Sequence, residues 1–148
     1  MKNVAKEKTR ERSLNRHELV WFLLRLTEPT ITQNTRFALL LSLMLAQRSG
    51  RIVQMRWIDI DLEDAIWDRS GQFEKNNNPI AIPLSEGVLS ILKYLRERQV
   101  QKVVANDPER WEKSQVLPSP GQYVFPGRWL TQPQTHPSLN RALRRLYA

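Results

Sequence analysis

Two basic side chains, Arg48 and Lys75, carry the clearest chemical signal in this sequence. Arg48 follows a long apolar run at residues 37–46, and Lys75 lies beside the three asparagines at 76–78. The segments around them make most sense as a scaffold that holds the two cations close together, facing an anion. For each residue an ordinary role is also open, because an arginine at a helix end can simply bond the last carbonyl groups, and Lys75 can be a solvated hairpin residue.

The bulk composition limits the classes of partner and of chemistry. The chain has 148 residues and a net charge of +8 with a pI near 10.3, which favours a polyanionic partner, most simply nucleic acid. It has no cysteine, and its two histidines lack metal-ligand spacing, so neither disulfides nor a metal site is expected. The apolar run at 37–46 is too short to span a membrane and the N-terminus is not a signal peptide, so a cytoplasmic location is the default.

Hydrophobic periodicity predicts an α+β fold that is mainly helical, with a small antiparallel three-stranded sheet. Residues 1–12 are predicted to form a flexible basic arm, and residues 13–148 one domain. Ser49-Gly50 is expected to end or kink the second helix, and Ile52, Val53 and Met55 indicate one or two further helical turns before Trp57. Residues 101–122 are expected to form a long surface loop. The predicted helices cover about 16–26, 33–47, 85–100 and 138–147, and the predicted strands cover 57–61, 65–67 and 80–84.

Four blocks of the sequence, in order and at plausible spacing, resemble the catalytic domain of tyrosine recombinases, most closely the phage-type integrases. That family typically carries a Thr-Gly-x-Arg-x-x-Glu box, an Arg-Trp-x-Asp-Ile-Asp strand start, a lysine hairpin leading into Val-Pro-Leu-Ser, and a Val-Phe-Pro box. Each block alone is weak, and together they are fairly specific. The corresponding blocks here are Gln47 to Arg51, Met55 to Asp61, Lys75 with Ile82 to Ser85, and Tyr123 to Pro126.

The resemblance implies a role in site-specific recombination and DNA integration, with double-stranded DNA as partner. Arg48 would be one of two arginines that clamp the scissile phosphate, and Lys75 would protonate the leaving 5′-hydroxyl or contact a nearby base. A guanidinium suits this role because it holds two phosphate oxygens at once and stays charged. No metal, cofactor, membrane or small-molecule substrate is implied, and further copies on DNA are an open alternative for a longer parent. Further DNA contacts are expected from Arg51, Arg56, Asn76, Asn77, Arg141, Arg144 and Arg145.

Several positions depart from the family pattern. Arg51 stands where the family has the acid that supports the catalytic arginine, and Ile80 stands at a hairpin position that is often basic. His136 is followed by Pro-Ser-Leu, so it does not begin a His-x-x-Arg box, and Tyr147 is not in the context of the nucleophile. We therefore expect a partial catalytic domain that lacks its His-x-x-Arg and tyrosine segment; a non-catalytic basic DNA-binding module and an inert prophage remnant are the alternatives.

These 148 residues are accordingly expected not to cleave DNA, because the nucleophilic tyrosine that the resemblance implies is not among them. The measurement is incubation with a suicide DNA substrate, which traps a phosphotyrosyl intermediate, followed by a denaturing gel. The expected result is no shifted band. A covalent protein–DNA adduct would contradict this expectation.

Overall fold

The computed structural model describes residues 13–69, 80–106, 122–127 and 132–146. Within these ranges the chain is mainly helical with one three-stranded antiparallel sheet, which confirms the predicted α+β class. The predictions made for residues 1–12, Lys75, Asn76, Asn77 and Tyr147 lie outside these ranges. The helices are α1 (Arg16–Arg25), α2 (Gln33–Met44), α3 (Ser49–Val53), α4 (Glu86–Asn106) and α5 (His136–Leu146), and the strands are β1 (Ile60–Asp61), β2 (Ile66–Arg69) and β3 (Ile80–Pro83).

Helix α2 lies at the centre of the core, and its end differs from the prediction. Leu41 is fully buried, and the helix stops at Met44 rather than near residue 47. Ala46 then adopts the left-handed conformation, with φ of 51°, and its N–H donates to the Leu43 carbonyl while the Gln47 N–H donates to the Ser42 carbonyl. This pair of bonds is a Schellman motif, which usually places glycine at the left-handed position. The prediction that Ser49-Gly50 ends the second helix was therefore wrong, because these two residues begin α3.

The sheet has the order β1-β2-β3 and is built around one tryptophan. Trp67 pairs with Ile60 on one side and with Ile82 on the other, and only 1% of it is exposed. The prediction of a strand over 57–61 was wrong in its first half, because Trp57–Asp59 forms a 3-10 turn. The Arg56–Asp59 ion pair, with Nη2 and Oδ1 at 2.7 Å, closes this turn and prevents an extended backbone.

Helices α4 and α5 are both longer than the sequence pattern indicated. Helix α4 continues to Asn106, six residues beyond the predicted end, and Val100, Val103 and Val104 continue the helical spacing of apolar residues into this part. Helix α5 begins at His136 instead of after a Ser138 cap, because Pro137 is tolerated in a first helical turn. The Ser138 hydroxyl and N–H instead both donate to the Thr135 carbonyl, at 2.6 and 3.0 Å.

The short segment 122–127 packs and hydrogen-bonds against residues 55–57, which connect α3 to the sheet. Val124 and Phe125 are fully buried, and the Val124 N–H donates to the Met55 carbonyl at 2.9 Å. Gln99 of α4 completes the attachment: its amide nitrogen donates to the Val124 carbonyl, and its amide oxygen accepts from the Trp57 indole N–H. Residues 55–57 are thereby held between two separate parts of the chain.

Replacing Leu41 by alanine is expected to lower the free energy of unfolding by about 2 to 5 kcal/mol, because the change opens a cavity beneath α2. The matched control is Leu24→Ala on α1, since the Leu24 side chain is 65% exposed and its loss should change stability by no more than about 0.5 kcal/mol. Urea unfolding followed by tryptophan fluorescence measures both. Equal losses in the two variants would contradict the central position of α2.

Candidate phosphate-binding site

Arg48 lies at the point where the chain turns from α2 into α3. Its carbonyl accepts from the N–H groups of Arg51 and Ile52, at 2.8 and 3.3 Å, so its backbone is the start of α3. Its side chain is exposed, and its guanidinium has no hydrogen bond or ion pair with any residue of the described ranges. The cation is therefore open to an external anion and is not turned inward to a buried acid.

The residues that follow Arg48 hold its backbone in place, because α3 packs directly on the core. Ile52 and Met55 are fully buried and Val53 is 3% exposed. On the other side, the Schellman turn at Ala46 ties the preceding residues to the end of α2. Arg48 is thus an exposed cation on a fixed backbone, which is the geometry that an anion-binding arginine requires.

Arg51 and Arg56, both predicted DNA contacts, already bond to other side chains of the chain. Arg51 is half-buried, and its Nη1 donates to Gln47 Oε1 at 3.1 Å. Arg56 donates from Nε and Nη2 to the two carboxylate oxygens of Asp59, and these hydrogen bonds raise the pKa of its guanidinium above the usual value. Both arginines therefore also hold the local fold, and contact with DNA by either remains a prediction.

Helix α5 brings further positive charge next to α3. Arg141, Arg144 and Arg145 are all exposed, while Leu139 and Leu146 of the same helix are buried. The start of α5 lies against the first turn of α3: a Cβ built on Gly50 would be 3.7 Å from Cδ2 of His136. Because His136 is exposed, an imidazole lies on the surface beside the first turn of α3.

The other half of the predicted site falls on residues 70–79. Lys75, Asn76 and Asn77 all belong to the connection between β2 and β3 and lie outside the described residues. The strands that carry this connection are paired up to Arg69 and Ile80. The convergence of Arg48 and Lys75 on one anion therefore stays a prediction.

A different surface, beside the sheet, carries several acidic side chains. A groove of about 640 Å³ is lined there by apolar and acidic residues together with one arginine, and Ile58 at its edge is 85% exposed. The acidic side chains in its lining would repel a phosphate backbone. Among the residues with described positions, no group of histidine, cysteine and acidic side chains could hold a metal ion. The groove is lined by Ile58, Asp59, Ile60, Asp61, Leu62, Glu63, Asp68 and Arg96.

The nearness of His136 to α3 was not predicted from the sequence, where this histidine was considered as a metal ligand and as the start of a His-x-x-Arg box. No pattern in the sequence could have indicated it. The contact joins two first helical turns that are far apart along the chain, and it depends on how α5 packs against α2 and α3.

Comparison of the chain with known protein families, with curated proteins and with solved structures gave no match. Within the described ranges, no helix has both the length and the apolar character needed to cross a membrane.

Replacing Gly50 by alanine is expected to raise the free energy of unfolding by up to about 1 kcal/mol, because glycine is a poor residue within a helix. The added methyl group would meet the His136 ring at 3.7 Å, an ordinary van der Waals contact. Thermal or urea unfolding of the variant measures the change. A clear loss of stability would contradict the stated distance between α3 and the ring.

Proposed function

We propose that this chain binds double-stranded DNA through phosphate contacts around Arg48, as the DNA-binding part of a phage-type tyrosine recombinase acting in site-specific integration. The observation that carries the proposal is the Arg48 guanidinium, exposed and without a partner in the described residues, on a backbone held by α2 and α3. The motif blocks around Arg48 and Lys75 supply the recombinase assignment. The proposal concerns binding, and strand transfer is not part of it.

The chemistry of the proposed contact follows from the guanidinium group. Arg48 would donate two parallel N–H bonds to the oxygens of one phosphate, which fixes the phosphate in orientation as well as in position. In an active recombinase the same contact would stabilise the extra negative charge of the pentavalent transition state. Lys75, from the connection between β2 and β3, would approach the leaving 5′-oxygen of that phosphate and donate a proton to it.

The distribution of charge supports a polyanion as partner and indicates which surface meets it. The net charge is +8, yet Asp59, Asp61, Glu63 and Asp68 all line the groove beside the sheet. A DNA duplex would approach the surface formed by α3 and α5 and avoid this groove, because the field over the protein steers a charged ligand. Arg141, Arg144 and Arg145 on α5 would then add contacts to the DNA backbone, which carry no sequence information.

Arg48→Ala is expected to weaken binding to a DNA duplex by about three- to tenfold and to reduce the slope of log K against log salt by about 1, as the loss of one phosphate contact requires. The measurement is fluorescence anisotropy of a labelled duplex at several salt concentrations. Arg96→Ala is the matched control, because it also removes an exposed arginine but from the acidic groove. Lys75→Ala should behave like Arg48→Ala.

Two results would count against the proposed function. One is binding of the unmodified chain that does not weaken with salt, since phosphate contacts release counterions. The other is a loss of affinity in Arg96→Ala that equals the loss in Arg48→Ala, because the effect would then reflect net charge alone.

A further inference from the structure

We infer that His136 is a second phosphate-binding residue, which contacts the same DNA phosphate as Arg48. This inference rests on the proposed function and adds to it a residue from a different helix. The first turn of α5 would then contribute a phosphate-binding side chain, although the sequence around His136 does not fit a His-x-x-Arg box.

The contact between α3 and α5 places His136 next to the stretch of backbone that Arg48 begins. A Cβ at Gly50 would lie 3.7 Å from Cδ2 of His136, so the imidazole lies on the first turn of α3. Arg48 is two residues before Gly50, which limits the distance between their Cα atoms to about 7.6 Å. Arg48 and His136 are both exposed. In the arrangement that we infer, one phosphate lies over this turn and contacts both groups.

The state of the imidazole suits a ligand-binding role. In the part of the chain that the structure describes, neither ring nitrogen of His136 has a hydrogen-bond partner. Nε2 is bonded directly to Cδ2, the atom that faces Gly50. A neutral imidazole has one N–H donor and a protonated one has two, so His136 can donate to a phosphate oxygen in either state.

Gly50 acts as a positioning residue in this arrangement. The space between position 50 and the His136 ring would admit a methyl group at an ordinary contact distance of 3.7 Å, but it leaves little room for a larger side chain that points toward the ring. A leucine at position 50 would extend well beyond the Cβ position that is 3.7 Å from the ring, and it would push the imidazole away from the turn. The site thus depends on the size of residue 50 as well as on the two donor groups.

The ordinary alternative is that His136 is a surface residue of a first helical turn with no ligand. The chain contains only two histidines, His17 and His136, and both lie in first turns of helices and are exposed. His17 is therefore a built-in control for any effect that a histidine of this kind would show without belonging to the site.

The test is a titration of the full chain with a short DNA duplex, in which the imidazole C–H signals of the two histidines are followed by NMR. We expect the His136 signal to shift with DNA and the His17 signal to stay in place. In anisotropy measurements, His136→Ala, His136→Phe and Gly50→Leu should each weaken binding about three- to tenfold, the range for one lost hydrogen bond. His17→Ala should leave the affinity unchanged.

A double-mutant cycle shows whether the two groups act on one phosphate. The combined loss in Arg48→Ala with His136→Ala should be smaller than the product of the two single losses, because either change already disrupts the shared contact. Thermal unfolding of each variant shows whether it is folded, and the two His136 variants test the inference even where Gly50→Leu does not fold.

The outcomes separate this inference from the proposed function. If Arg48→Ala weakens binding while the His136 variants do not, or if the His136 signal does not move, His136 is not part of the site and the proposed function stands. If neither Arg48→Ala nor His136→Ala changes the affinity, both proposals fail.

Discussion

The reversal of the chain after α2 is the constraint on which the candidate site depends. Ala46 takes a left-handed conformation that costs an alanine about 1 to 2 kcal/mol, and the two hydrogen bonds of the Schellman motif hold it there. Because α2 is buried on one side of this turn and α3 on the other, Arg48 is displayed at a position that the core determines. An arginine on a mobile loop would need both its backbone and its side chain ordered on binding, whereas for Arg48 the cost falls mainly on the exposed side chain.

The acidic groove beside the sheet has a structural origin. Two of the acidic side chains near the sheet stabilise neighbouring backbone. Asp59 pairs with Arg56, and the Asp61 carboxylate accepts from the N–H groups of Glu63 and Asp64. These bonds shape the turns on either side of β1 and leave the acidic surface beside the sheet. The arginines of α5 need no partner for folding, since its leucines attach the helix to the core. The proposed polyanionic partner would therefore be attracted to the arginines of α5 and repelled by the acidic groove.

Local signals made much of the fold predictable from the sequence. The capping box of Asn15 and Glu18 marks the start of α1, and alternation at residues 80–84 marks a strand, because both depend on neighbouring residues. The end of α2 was not predictable, since a left-handed alanine has no signature of its own, and the turn at 57–59 depends on an ion pair that alternation conceals. Arg48 as an exposed cation could be predicted, whereas the approach of His136 to Gly50 arises only from helix packing.

The central claim is that DNA phosphates meet the surface around Arg48. The most direct test is to map the backbone amide shifts of the isotopically labelled chain on addition of a short duplex, with the guanidinium signals recorded in parallel. The account predicts the largest changes at residues 48–51, at the start of α5 and at the Arg48 guanidinium, with little change in the acidic groove. Changes centred on that groove or on α4, with the Arg48 signals unmoved, would contradict it.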